Sequence, residues 1–166
     1  MSIKGTLVFF CGKMGAGKTT KAQQVAIELE AILLSEDEWL AAIYPEEIHD
    51  LNDYIKYSAR IKSLLKPHVQ NILNSGISVV MDFPGNTQKQ RTWFKEIISE
   101  HQFPHKLIYL EAEDQLCLKQ LVLRRVSHPE RAKFDTVENF HRITSYFQPP
   151  SSEEGFNMEL VSRVNA

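Results

Sequence analysis

A glycine-rich segment near the start of the chain carries the residues best suited to chemistry. Residues 12–19 read GKMGAGKT and match the pattern G-x-x-x-x-G-K-[ST]. Glycines at these positions let the main chain curve closely around phosphate groups with its N–H groups pointing inward. The lysine of the pattern, Lys18, reaches the outer phosphates, and the hydroxyl group of Thr19 ligates Mg²⁺. The alternative is a glycine-rich turn with a surface lysine.

The surroundings of this segment favour a phosphate site over a plain turn. An apolar run precedes it and a helical pattern follows it, as in a loop between a buried strand and a helix. The guanine-recognition pattern Asn-Lys-x-Asp is absent from the sequence, which favours ATP over GTP. The predicted nucleotide-binding residues are Gly12, Lys13, Met14, Gly15, Ala16, Gly17, Lys18, Thr19 and Thr20.

Two acidic residues follow apolar segments and would complete such a site. Asp82 ends the run VVMD, and a carboxylate at the end of a buried strand can hold Mg²⁺ together with Thr19. Asp37 comes shortly after the run AILL, where a carboxylate can accept the proton of an acceptor hydroxyl group, with Glu38 as the reserve candidate. The structural alternatives are a cap of the following turn for Asp82 and a favourable helix-dipole interaction for Asp37.

A basic segment follows the fourth predicted strand and its helix. Arg124 lies at the end of that helix, and Arg131 lies in the polar stretch after it. Residues 126–137 are predicted to form a lid over ATP, with arginines that neutralise charge developing on the transferred phosphoryl group. The structural alternative is favourable charge at a helix C-terminus followed by a solvated loop. We select Arg124 and Arg131 as catalytic arginines, beside Lys18 and Asp37.

Short apolar runs alternate with helical patterns along the chain. This alternation predicts a three-layer α/β fold, with a parallel sheet between helices and a ligand site at the carboxyl ends of the strands. Ser35 and Glu38 predict a capping box, and Pro67 predicts a kink or break in the longest helix. The predicted strands are residues 7–11, 31–34, 77–82, 106–110 and 156–164, and the predicted helices are residues 18–30, 51–74, 88–101, 114–125 and 137–146.

The composition is that of a globular protein without a strong charge bias. The 166 residues are enough for one domain with a sizeable core, which we place over residues 1–166. The formal net charge of −2 argues against general binding to nucleic acid or membranes. Cys11 and Cys117 are predicted to be buried free thiols. No apolar stretch has the length of a membrane span or of a signal segment, so we expect a cytoplasmic location.

Taken together, these segments resemble those of small P-loop kinases. The resemblance rests on CGKMGAGKTT, LLSEDEW, SVVMDFPGNTQKQRTWF, LVLRRVSHPERAKF and FHRITSYFQPPSSEEGF, in this order over most of the chain. The chain is similar to the predicted-kinase family described as AAA-type ATP-binding proteins, which resembles polynucleotide 5′-kinases, zeta-toxin kinases and chloramphenicol phosphotransferase. The resemblance implies a P-loop NTPase fold with strand order 2-3-1-4-5 and ATP-dependent transfer to a small acceptor. It also places Asp37 where the family has its acceptor-activating aspartate.

Two positions depart from the pattern of related kinases. Polynucleotide 5′-kinases carry an arginine three residues after that aspartate, where this chain has Leu40. Nucleoside monophosphate kinases carry an arginine after a D-G-F-P-like turn, where this chain has Gly85. Both differences argue against those acceptors. Arg91 either faces the acceptor or pairs with an acid, and Trp39 and Trp93 either line an acceptor pocket or pack in the core.

The leading interpretation is a kinase that transfers the γ-phosphate of ATP to the hydroxyl group of an unidentified small molecule with the help of Mg²⁺. The first alternative is a regulatory module that uses ATP as a switch. The second is a kinase of nucleic-acid 5′ ends, although nucleic acid is an unfavoured partner because of the charge balance and Leu40. We expect no membrane partner, no zinc site among the histidines, and a monomer or homodimer.

Overall fold

A five-stranded parallel sheet organises the chain. The computed structural model describes residues 3–163. The strand order is β2-β3-β1-β4-β5, and every neighbouring pair is parallel. This is the order that the resemblance to P-loop kinases implies. The strands are Leu7–Cys11 (β1), Ile32–Ser35 (β2), Val79–Asp82 (β3), His105–Ala112 (β4) and Met158–Arg163 (β5).

Helices cover both faces of the sheet, because a parallel sheet has two apolar faces to bury. In β1, Leu7 and Phe9 pack on the side of α3 and α4, whereas Val8 and Phe10 pack on the side of α1 and α5. All four side chains are fully buried, which fixes β1 as the centre of three layers. The helices are Lys18–Glu28 (α1), Glu36–Ile43 (α2), Leu51–Asn74 (α3), Gln88–Ser99 (α4), Asp114–Ser127 (α5) and Val137–Thr144 (α6).

The predicted elements are present, and their ends differ by a few residues. The first helix ends at Glu28 instead of residue 30, because Glu30 has a left-handed φ of 49° that cannot continue a helix. The second strand extends to Ser35, which pairs with Asp82 of β3. The last strand covers Met158–Arg163, and its predicted end at residue 164 lies outside the described residues.

Of two local predictions about helices, the capping box at Ser35 is partly right, and the structure shows no break at Pro67. Ser35 is the N-cap of α2 and accepts a hydrogen bond from the N–H group of Glu38 at 3.4 Å, but the reciprocal bond of a capping box is not formed. Helix α3 runs without a break through Pro67. Proline leaves the carbonyl group four residues earlier without its helical donor, and that residue, Ser63, is exposed to water.

Two further predictions concern the whole molecule. Cys11 and Cys117 are free and buried, as predicted. Across residues 3–163, the structure contains no helix with both the length and the hydropathy that a membrane crossing requires.

Candidate active site

The glycine-rich segment forms the loop between β1 and α1. Gly17 is the N-cap of α1 and has a φ of 97°, a conformation that residues with a side chain rarely adopt. The guanidinium group of Arg163, at the end of β5, lies so close to Gly17 that an added Cβ atom would be 2.0 Å from its Nη1 atom. Arg163 Nη1 also donates to the carbonyl oxygen of Ala16 at 2.6 Å. The last strand therefore supports the loop from the side.

Lys18 lies across the loop that precedes it. Its ammonium group donates to the carbonyl oxygen of Gly12 and, at 3.0 Å, to that of Lys13. The pKa of Lys18 is lowered to about 8, chiefly by burial and to a smaller extent by the nearby charge of Arg124, while Asp82 acts in the opposite direction. A weakly solvated ammonium group at a helix N-terminus is suited to phosphate oxygens, which can replace the hydration that burial removes.

Thr19 and Asp82 lie side by side at the start of α1 and the end of β3. The hydroxyl group of Thr19 donates to Asp82 Oδ2 at 2.8 Å. Burial raises the pKa of Asp82, the hydrogen bond from Thr19 lowers it, and the negative charge of Asp37 raises it again. The structure therefore brings together two predicted site residues that are 63 positions apart, and it places Asp37 close enough for its charge to act on Asp82.

The Thr19–Asp82 pair fits Mg²⁺, which prefers oxygen ligands and is commonly held by one or two carboxylates together with phosphate oxygens and water. A carboxylate whose charge is disfavoured by burial and by neighbouring acids would gain from such a cation. Among residues 3–163, no group of three or more His, Cys, Asp or Glu side chains could hold a metal by itself. A pair of protein ligands leaves the other positions of Mg²⁺ to phosphate oxygens and water.

Asp37 and the two selected arginines belong to one chain of ion pairs. Arg131 donates from Nη1 to Asp37 Oδ2 at 3.3 Å and from Nε to Asp135 Oδ2 at 3.4 Å. Arg124 donates to both carboxylate oxygens of Asp135, at 2.6 and 2.7 Å. The side chain of Asp37 is 67% exposed, so its bond to Arg131 is open to exchange with a ligand. The predicted lid arginines therefore connect to the predicted acceptor side.

A buried acid next to Asp37 fastens helix α2. Glu36 is 1% exposed and accepts hydrogen bonds from the hydroxyl groups of Tyr54 and, at 2.7 Å, Ser58 of α3. Burial raises the pKa of Glu36, and these two hydrogen bonds lower it. Glu38 is exposed and its charge also acts on Asp82. Of the three acids in this turn, Glu36 ties α2 to α3, and Asp37 and Glu38 are exposed.

Arg91 pairs with an acid, which was one of the two alternatives. Its side chain is completely buried and donates from Nε to Glu154 Oε1 at 2.8 Å and from Nη1 to the carbonyl oxygen of Gly85 at 2.9 Å. Gly85 itself packs against the main chain of Phe10, where an added Cβ atom would lie 2.4 Å from the carbonyl oxygen. The turn after β3 therefore has no room for the arginine of nucleoside monophosphate kinases.

The Arg91–Glu154 pair is expected to be important for stability. Replacing Glu154 by alanine leaves a buried guanidinium group without its counter-charge, which costs about 3 kcal/mol of the free energy of unfolding. Urea denaturation measures this value. The exposed neighbour Glu153 provides the matched control, and Glu153→Ala is expected to change the free energy of unfolding by less than about 0.5 kcal/mol. Equal effects of the two substitutions would contradict the prediction.

The two tryptophans are partly buried and pack against the core on the α3 and α4 side. The rings of Trp93 and Phe83 are stacked with centroids 6.0 Å apart. Leu40 is 5% exposed and belongs to the same core. A residue that reads a phosphorylated nucleic-acid end must reach solvent, and the side chain at this position does not.

With this geometry in place, comparison with known proteins gives the family. Residues 7–150 match the family AAA_33, described as AAA domain. The chain belongs to this AAA domain family. A bifunctional polynucleotide phosphatase/kinase of Schizosaccharomyces pombe (strain 972 / ATCC 24843) is 32% identical over 85 residues, which are 51% of this chain and 20% of that protein. The match thus spans about a fifth of the length of this relative.

Solved structures give the same fold for this AAA domain protein. The APS kinase CysC of Mycobacterium tuberculosis, in complex with AMPPNP and APS, superposes with a TM-score of 0.69 at 18% identity, covering 98% of this chain and 91% of the other. Kti12 of Chaetomium thermophilum, in complex with ADP-AlF3, has a TM-score of 0.68 at 16% identity, covering 94% and 88%. The protein therefore has the fold of P-loop kinases.

Sequence reasoning missed three residues of this site. Asn86 accepts a hydrogen bond from the N–H group of Gly12 at 2.9 Å and so fixes the start of the loop. Arg163 supports the middle of the loop, and Asp135 holds both arginines of the predicted lid, Arg124 and Arg131. Asn86 follows the Asp82 turn directly and could have been found from that position, but the other two lie in segments without a recognisable pattern.

Proposed function

We propose that this protein is an ATP-dependent phosphotransferase that acts on a hydroxyl group of a small molecule. The observation that carries the proposal is the chain of ion pairs from Asp37 through Arg131 and Asp135 to Arg124. It joins a solvent-exposed carboxylate to Arg124, whose charge acts on Lys18 of the phosphate loop. A protein that only stored ATP would need the loop but no carboxylate on the other side of it.

Each residue has a defined task in the proposed reaction. The loop amides and Lys18 bind the phosphates of ATP, and Thr19 and Asp82 would hold Mg²⁺, which supplies charge neutralisation between the outer phosphates. The acceptor oxygen forms a bond to the γ-phosphorus as the bond from that phosphorus to the bridging oxygen of ADP breaks. The leaving electron pair stays on ADP, and Asp37 takes the proton of the acceptor hydroxyl group.

A test of the proposed function is an acceptor screen. The protein is incubated with Mg-ATP labelled at the γ-phosphate and a panel of alcohols, sugars, nucleosides and hydroxylated antibiotics, and the transfer of label is measured. The expected result is phosphorylation of one class of acceptor, which requires Lys18. The matched control is Lys21→Ala, which removes a lysine one turn along α1. ATP hydrolysis with no labelled acceptor from any class would count against the proposal.

A second candidate acceptor is the 5′-hydroxyl end of a nucleic acid. The similarity to a polynucleotide phosphatase/kinase favours it. The burial of Leu40 and the formal net charge of −2 act against it, because nucleic-acid affinity depends on positive charge. An oligonucleotide with a 5′-hydroxyl group therefore belongs in the panel, and its phosphorylation in preference to every small molecule would replace the leading proposal.

The affinity for Mg-ADP is expected to decrease as the pH rises through about 8. Phosphate stabilises the charged form of Lys18, so Lys18 is protonated in the complex. At a pH at which Lys18 of the free protein has lost its proton, binding must therefore take up a proton, and affinity falls as the pH rises. Free Lys18 has a pKa of about 8, so affinity is constant below that value and falls above it. Isothermal titration between about pH 7 and pH 9 should show a loss approaching tenfold per pH unit.

The decrease in affinity has a direct control. In Lys18→Ala the affinity is lower throughout, and its dependence on pH above 8 is expected to disappear. A wild-type protein whose affinity stays constant over the same range would contradict the contribution of Lys18 to phosphate binding.

A further inference from the structure

We propose that Asp135 is a positioning residue that fixes the direction of the two lid arginines between ATP and the acceptor. The inference rests on the proposed phosphotransferase function and adds to it a residue that sequence patterns did not indicate. Asp135 itself would touch neither substrate. It acts through Arg124 and Arg131, which it holds at the same time.

The contacts of Asp135 have the geometry that orients a guanidinium group. Arg124 donates from Nε and Nη2 to the two carboxylate oxygens of Asp135, at 2.6 and 2.7 Å. A paired arrangement of this kind fixes the plane of the guanidinium group as well as its distance, which a single hydrogen bond cannot do. Arg131 adds a third contact at 3.4 Å on Oδ2.

Asp135 is itself firmly held. It is 1% exposed, and its N–H group donates to the carbonyl oxygen of Arg131 at 2.8 Å. The next residue, Thr136, is the N-cap of α6 and accepts from the N–H group of Asn139 at 3.1 Å. Asn139 also donates from its side chain to the carbonyl oxygen of Phe134 at 2.9 Å. A carboxylate in such a setting can impose its direction on its partners.

The position of Arg124, Arg131 and Asp135 indicates why the orientation of the two arginines would matter. On one side, the charge of Arg124 reaches Lys18, which lies on the phosphate loop. On the other side, Arg131 contacts Asp37 at 3.3 Å. The cluster of Arg124, Arg131 and Asp135 thus lies between the donor and the acceptor side, with two positive charges and one negative charge. In the proposed reaction, the two arginines stabilise the negative charge that develops on the transferred phosphoryl group once the acceptor displaces the exposed contact between Arg131 and Asp37.

The competing explanation is that Asp135 only fastens the segment after α5 to the rest of the protein. In that case, loss of the Asp135 carboxylate would lower the free energy of unfolding. The folded fraction of the variant would still prefer a transition-state analogue over Mg-ADP as strongly as the wild type does. The proposed role predicts that the affinity for ADP is kept and the preference for the transition-state analogue is lost. Arginines that are no longer oriented still attract ADP, but they no longer fit the transferring phosphoryl group.

The experiment compares two affinities in the same protein. Mg-ADP reports the phosphate loop, and Mg-ADP with aluminium fluoride imitates the transferring phosphoryl group. Wild type is expected to bind the second more tightly. In Asp135→Asn the preference should fall about tenfold, while the affinity for Mg-ADP stays within about twofold, which also shows that the loop is folded. The neighbouring Arg125→Ala, outside the cluster, should keep the preference.

A double-mutant comparison separates an indirect role from a structural one. If Asp135 acts through Arg124, then Asp135→Asn should cost little in a protein that already carries Arg124→Ala, because the arginine to be oriented is absent. Equal costs in the two backgrounds would overturn the proposal. So would an Asp135→Asn protein that keeps the wild-type preference for aluminium fluoride.

A second variant keeps the test decisive should Asp135→Asn not fold. Arg124→Lys preserves the positive charge and leaves Asp135 in place, but a lysine cannot form the paired contact. Its preference is expected to fall in the same way, and a full wild-type preference would overturn the proposal. A wild-type protein that binds Mg-ADP equally well with and without aluminium fluoride would overturn the phosphotransferase function itself, and this inference with it.

Discussion

Replacing Asp37 by asparagine is expected to lower the rate of phosphoryl transfer to the acceptor by about 10²–10⁴-fold, the usual contribution of a general base. Asparagine keeps the size of the side chain and can still bond to Arg131, but it cannot take the proton of a hydroxyl group. The affinity for Mg-ATP should change by less than about twofold, because the loop and Lys18 are untouched. Initial rates with the acceptor found in the screen and ATP titrations measure the two quantities.

The adjacent acid provides the matched control for Asp37. Glu38→Gln removes one negative charge from the same exposed turn of α2, and it is expected to lower the transfer rate by less than about threefold. If Glu38→Gln caused the large loss and Asp37→Asn the small one, the two residues would exchange roles. If neither substitution changed the rate, the proposal of a carboxylate base on α2 would be wrong.

The sheet could be predicted because its signals are local. The run LVFFC has no polar side chain, so it requires a strand buried on both faces, and β1 is the central strand. The ends of elements were less predictable, because they depend on single backbone conformations. The left-handed φ of Glu30 ends α1 early, and nothing in the composition of that segment distinguishes it from helix.

The proximity of the residues on the proposed donor side was predictable for a similar reason. Its residues occur in one continuous pattern, and Asp82 follows from the rule that carboxyl ends of parallel strands meet at one edge. The contact between Thr19 and Asp82 at 2.8 Å agrees with that rule. The short distance between Thr19 and Asp82 could therefore be expected from the residue types and from their places in the sequence.

The proposed acceptor side was less predictable because its decisive contacts are long-range. Arg91 could have faced the acceptor, and only the fold brings Glu154 within 2.8 Å, 63 residues later in the chain. Asp135 was unpredictable for the same reason, because an aspartate after a polar loop is usually a solvated helix cap. Asp135 is buried in contact with both Arg124 and Arg131. No periodicity in the sequence predicts that these two arginines lie on the same carboxylate.

Lys18→Ala is expected to have an effect of similar size through binding and catalysis together. The variant loses a charged donor in a weakly solvated site, so the transfer rate should fall by about 10²–10³-fold, as for other preorganised donors. The affinity for Mg-ATP should fall by about tenfold or more, as expected for hydrogen bonds to charged groups. Titration with Mg-ATP and initial rates at saturating ATP separate the two effects.

The stability of Lys18→Ala distinguishes this result from simple unfolding. Burial lowers the pKa of Lys18 from 10.5 to about 8, so the folded state disfavours the charged ammonium group at neutral pH, and removing it should not lower the thermal midpoint. If the variant is at least as stable as the wild type, its weak binding of Mg-ATP is due to loss of the ammonium group. Lys21→Ala is expected to match wild type in all three measurements. A Lys18→Ala protein that binds Mg-ATP as tightly as wild type would refute the phosphate site, and with it the donor half of the proposed transfer.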